Sequence, residues 1–147
     1  MHLIYLIRLS NNISIPIIKE LTKFRLTLSV VFSSFISYFL GASEVNYIQL
    51  FYLITGGILI VSSSNIFNQI IERDLDKLMK RTQNRPLPKN EITPKLALFL
   101  AIASCVIGLI FMYLINIKVA ILAALSIFIY LSLIHISEPT RQAEISY

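Results

Sequence analysis

Residues 45–71 form an uncharged run, and no other feature narrows the fold as much. A predominantly apolar stretch of about 20 residues is what an α-helix needs to cross a hydrocarbon layer of about 30 Å. Three more apolar stretches, at 24–42, 96–115 and 119–133, reach or approach that length, the last being the shortest. Lipid offers backbone groups no water, so a spanning segment must satisfy them internally, and the lack of alternating polarity rules out a barrel. The expectation is an all-α, multi-pass transmembrane helical bundle of about four helices. A hydrophobic share of 56% and a mean hydropathy of +0.73 point to a lipid bilayer as solvent rather than to a soluble core.

A net charge of +5 can mark a nucleic-acid binder, but the placement of the cations argues against that partner. Arg8, Lys19, Lys23 and Arg25 precede or open the first apolar stretch, and Arg73, Lys77, Lys80, Arg81, Arg85, Lys89 and Lys95 follow the second. The two other connections hold only Lys118. Positive charge marks the cytoplasmic side. The N-terminus and the 68–95 region are therefore expected in the cytoplasm, in a multi-pass protein of the cell inner (cytoplasmic) membrane. Residues 1–20 read as a cytoplasmic lead-in on the membrane surface, since Arg8 comes too early for a signal-peptide core. Cys105, the only cysteine, lies within an apolar run and reads as packing.

The second apolar stretch delivers oxygen-bearing side chains to the membrane edge. Asn68, Glu72 and Asp76 fall at i, i+4 and i+8, so on a continuous helix they lie within roughly 80° of one another along about 12 Å of axis. Asp74 points elsewhere. Hard cations such as Mg²⁺ take oxygen ligands, commonly one or two carboxylates together with substrate phosphates. The plainer alternative is the solvated end of a spanning helix, but acids set against an apolar segment and among cations tend to be functional. Ser62, Ser63, Ser64 and Asn65 make the preceding turns polar, which in lipid requires protein or a water-filled cavity beside them. Gly56 and Gly57 permit close helix packing, and Pro86, Pro88 and Pro94 place a loop between the second and third helices.

These residues carry a resemblance. Asn68 to Asp76 resembles the first aspartate-rich motif, N-x-x-x-D-x-x-x-D, of the UbiA-type intramembrane prenyltransferases. Met79-Lys80-Arg81-Thr82-Gln83-Asn84-Arg85-Pro86-Leu87 is similar to the M-x-R-T-x-N-R-P-L of their protoheme IX farnesyltransferase (haem O synthase) group, a continuation that makes the signal specific. Leu21-Thr22-Lys23-Phe24-Arg25 is similar to the family's L-T-K-P-R, with Phe24 in place of proline, and Glu72 stands where an aspartate is usual. The resemblance covers approximately residues 20–133.

It implies the front part of a nine-helix fold, with a second aspartate-rich motif in a later segment. Residues 1–133 would be the N-terminal part of the prenyltransferase domain. The polar, aperiodic 134–147 stretch resembles translated adapter sequence and reads as a non-native tail. Without the later helices and the second motif that the resemblance implies, the chain alone is expected to be inactive. The implied reaction moves a farnesyl group from farnesyl diphosphate to haem B, giving haem O on the way to haem A. Asn68, Glu72 and Asp76 would hold Mg²⁺. Arg81 and Arg85 would contact the diphosphate, helped by Lys77 and Lys80, since Arg suits bidentate phosphate binding; for Lys89 and Lys95 membrane topology suffices. An aromatic quinone precursor as acceptor is the alternative within the family. A non-catalytic four-helix membrane subunit is the alternative outside it, and it leaves three oxygen ligands on one helical face unexplained.

Overall fold

The computed structural model describes residues 14–145, with side chains as far as Leu133. Among the described residues six helices follow one another: α1 (Ile15–Leu21), α2 (Phe24–Gly41), α3 (Tyr47–Ile71), α4 (Arg73–Leu78), α5 (Pro94–Ile115) and α6 (Ile117–Ile145). No strand occurs among the described residues. Helices α2, α3 and α5 are long and apolar enough to cross a membrane, and the 117–133 part of α6 is apolar but shorter. The protein is therefore a helical membrane protein. The lead-in at residues 1–13, with Arg8, lies outside the described residues.

Helix α3 is the hub, packed most extensively on α5 and next on α2 and α6. Small residues make the α3–α5 seam. A Cβ added at Gly108 would stand 2.7 Å from Ile60 Cγ1 and 3.2 Å from the Gly56 carbonyl oxygen, so the two backbones meet where both helices lack a side chain. Ala97 and Ala101 are fully buried on the same stripe of α5, and the Ser63 hydroxyl donates to the Ala101 carbonyl at 2.8 Å. In lipid, close backbone approach and interhelical hydrogen bonds are what associate helices. The large side chains of the outer faces, such as Phe32, Phe99 and Phe128, are exposed, as suits surfaces whose solvent is hydrocarbon. Cys105 packs at the edge of the cluster formed by Ile60, Met112 and Ile127.

The polar turns of α3 face protein. A helix end leaves carbonyls without intrahelical partners, and two α3 amides supply them at the C-terminus of α1. Asn65 Nδ2 donates to the Thr22 carbonyl at 3.0 Å, and Gln69 Nε2 donates to those of Glu20 at 3.1 Å and Leu21 at 2.8 Å. Between α1 and α2, Lys23 sits in the left-handed region at φ 49°, and α2 begins at Phe24, the N1 position a proline would favour.

Several boundaries differ from the sequence expectation, among them the start of α6 at Ile117 rather than 119. The helix does not run unbroken through Asp76: α3 ends at Ile71, and Glu72 is the joint with α4. The bonds Glu72 N–H to Asn68 O and Asp76 N–H to Glu72 O nevertheless continue the i→i−4 pattern, so the register survives the joint. Helix α5 starts at Pro94 with Thr93 as its cap, two residues before the expected 96. Helix α6 continues to Ile145 rather than ending near 133, because adding a residue to an existing helix needs no new nucleus. The 79–93 connection is a run of turns, and it is folded in: Pro86, Leu87 and Pro88 are buried, Leu87 in one cluster with Leu21, Ile66, Ile92, Ala97 and Ala101.

Candidate functional site

The joint at Glu72 is where the side chains with chemistry converge. Asn68, Glu72 and Asp76 are 5%, 8% and 3% exposed, so the face that the helical spacing gives them in common is buried. Asn68 Nδ2 donates to Glu72 Oε2 at 3.1 Å. From the folded connection Arg85 reaches back, its Nη1 at 2.6 Å from Asp76 Oδ2 and 3.6 Å from Glu72 Oε2. Thr82 holds that return path: its buried hydroxyl donates to the Asp76 carbonyl at 3.2 Å, and its own carbonyl accepts from Arg85 N–H at 3.0 Å. Burial of Pro86 and Leu87 anchors the segment directly after Arg85.

Among the described residues the cluster sets two carboxylates against one guanidinium. Asn68 Oδ1 is buried with no hydrogen-bond partner among the described residues. A buried acceptor without a donor is costly, and a cation removes that cost. An orphaned amide oxygen beside two buried carboxylates is an all-oxygen donor set of the kind Mg²⁺ takes, so the residues fit the ion. No group of three His, Cys, Asp or Glu side chains gathers among the described residues. A cation here would therefore complete its shell with water or with oxygens from a ligand.

The other cations expected at the site stand apart. Lys77 pairs with Asp74 at 3.0 Å on the exposed side of α4. That hydrogen bond, and then the Lys77 charge, hold the Asp74 carboxyl below its ordinary value. Lys80 and Arg81 are exposed, and the structure does not bring them to the carboxylates. Arg73 bonds Asn90 Oδ1 at 2.9 Å across the connection. Tyr130, on α6, lies within electrostatic reach of Glu72 and Arg85; nothing in its apolar run singled it out. Thr82 was legible only as part of a motif, without a role.

Fold and site together define a multi-pass helical membrane protein whose central helix ends in a buried amide-and-carboxylate cluster closed by an arginine. The sequence profile of the UbiA prenyltransferase family matches residues 30–133, and the chain belongs to that family. Among curated relatives, the protoheme IX farnesyltransferase of Christiangramia forsetii is 50% identical over 115 residues, 78% of this chain and 38% of the relative. That of Flavobacterium psychrophilum is 45% identical over 115 residues, 76% of this chain and 38% of the relative. That of Listeria monocytogenes serotype 4a is 32% identical over 117 residues, 76% of this chain and 39% of the relative. The chain thus spans about two fifths of the length of these relatives. No solved structure gives a significant match.

Proposed function

We propose that the whole protein is a protoheme IX farnesyltransferase, moving a farnesyl group from farnesyl diphosphate to haem B and yielding haem O. The names of the relatives support the reaction, and the buried convergence of Asn68, Glu72 and Asp76 is the observation that carries it to this chain. These three side chains would hold Mg²⁺, which when bound offsets the charge that develops on a diphosphate leaving group. Arg85, fixed against both carboxylates, keeps the acids oriented and presents a guanidinium fork to phosphate oxygens. Arg81, Lys77 and Lys80 are left to interfacial charge. The close-packed α3–α5 seam gives the site a rigid wall, and shielding from water favours an ionising allylic substrate. The loop charges support an inner-membrane protein with its N-terminus and this cluster on the cytoplasmic side.

The test is turnover of the whole protein in membranes, read as farnesylated haem. Asp76→Asn and Glu72→Gln should each lose about 100-fold or more, the scale of removing a group aimed at developing charge, with insertion unchanged. Full activity of both variants at saturating Mg²⁺ would remove these residues from the reaction.

A further inference from the structure

Arg85 stands where a cation held by the acid cluster has to go. Its Nη1 lies 2.6 Å from Asp76 Oδ2 and 3.6 Å from Glu72 Oε2, so one positive group straddles the two acids, bonded to the first and within ion-pair reach of the second. A divalent ion on the same oxygens sets two cations against each other where the Asp76 side chain is only 4% exposed and water screens little. One of the two has to give way.

The backbone of Arg85 is not the part that moves. Its N–H donates to the Thr82 carbonyl at 3.0 Å, its carbonyl accepts from Lys89 N–H at 3.1 Å, and Pro86 and Leu87 beside it are buried. The side chain is less tied, being 22% exposed. A guanidinium on a flexible stem that still reaches solvent can leave the carboxylates by turning its own torsions, with the surrounding fold unchanged.

We propose that Arg85 is an exchangeable counter-ion: it offsets the buried carboxylates and keeps them aimed until a divalent cation displaces it from Asp76. Asn68 Oδ1, buried without a hydrogen-bond partner among the described residues, then joins the two acids on the ion. This exchange rests on the ligand set proposed above. It makes ion binding conditional, because a bare divalent cation has to compete with the guanidinium for Asp76. Arg85 therefore lowers the affinity for metal, whereas a residue that only braced the acids would raise it.

The experiment titrates Mn²⁺ alone, read by electron paramagnetic resonance, on the chain in phosphatidylcholine nanodiscs and on Arg85→Gln, which removes the charge and keeps a polar side chain. Arg85→Gln should bind Mn²⁺ about tenfold more tightly, within the usual range of coupling between sites, and adding Asp76→Asn should remove that gain. Arg81→Gln, at an exposed cation of the same connection, should leave the affinity unchanged. A second readout keeps Arg85 and so decides the matter where Arg85→Gln does not fold. With an arginine-selective dicarbonyl reagent and mass spectrometry, saturating Mn²⁺ should speed labelling of Arg85 while Arg81 keeps its rate. Absence of any Mn²⁺ binding that depends on Asp76 would overturn the ligand set and the exchange together. Binding that depends on Asp76 but is equal or weaker in Arg85→Gln of unchanged helix content, or labelling of Arg85 that stays the same or slows, would leave the ligand set standing and overturn the exchange alone.

Discussion

The two halves of α3 are held in opposite ways. Toward its N-terminus the helix packs by having nothing there: Gly56 meets Gly108 so closely that a Cβ on either would stand 3.2 Å from the other's carbonyl oxygen. Toward its C-terminus it packs by polar reach, with Ser63, Asn65 and Gln69 bonding backbone carbonyls of α5 and of the α1–α2 bend. Asn68 and Glu72 then carry the polar face on into the acid cluster. One half is fixed by shape and tolerates no added volume. The other is fixed by bonds and tolerates no lost partner, which is the kind of rigidity a charged site requires.

Removing Arg85 should have the largest effect. Breaking a buried ion pair by taking one partner leaves a charge uncompensated, at a cost of about 3–5 kcal/mol, and the partly exposed Arg85 side chain puts this case at the low end. Arg85→Ala should therefore lower the thermal midpoint in detergent markedly, and Mg²⁺ should restore more of it than Mg²⁺ adds to the unsubstituted chain. Loss of stability with no extra rescue would mean that the arginine serves packing alone.

Gly108→Ala comes next. Its new Cβ meets Ile60 Cγ1 at 2.7 Å and backbone atoms at 3.2 Å, and overpacking of this kind costs about 1–3 kcal/mol. Denaturation in mixed micelles would measure it. A neutral result would show that α3 and α5 can separate freely, and the contrast between the halves would fail.

Ser63→Ala should cost less, about 0.6 kcal/mol, the average for an interhelical hydrogen bond in a membrane protein. Smallest of all is Asp74→Asn. The ion pair with Lys77 is on the surface, so the midpoint at neutral pH should not move measurably. The depressed carboxyl of Asp74 contributes only above its unfolded pKa, and that contribution disappears as pH falls through the lower folded value. Any difference between this variant and the unsubstituted chain therefore belongs at neutral pH and should vanish in strong acid.

The membrane helices were legible because charge is so expensive in lipid that its absence over 45–71 or 96–115 admits few other structures. That Asn68, Glu72 and Asp76 share a face was legible in their spacing, and the register survived the joint because Glu72 keeps near-helical angles of φ −79° and ψ 0°; that the shared face is buried needed the packing around it. The joint itself left no mark, since no proline or glycine stands there. The 79–93 connection was the harder case: prolines announce a break, but only long-range packing could show that Leu87 is buried beneath Leu21 and Ile66. That packing turns Arg85 inward and leaves Arg81 outside, a distinction that two arginines four residues apart do not reveal in sequence.

The central claim, that Asn68, Glu72 and Asp76 hold a divalent cation, is tested most directly by electron paramagnetic resonance of Mn²⁺, an oxygen-preferring stand-in for Mg²⁺. The chain in nanodiscs with pyrophosphate should bind Mn²⁺ in a manner competed by Mg²⁺, and Asp76→Asn should lose that signal while its helix content is unchanged. Equal Mn²⁺ binding by the two proteins would place the cation elsewhere and contradict the assignment.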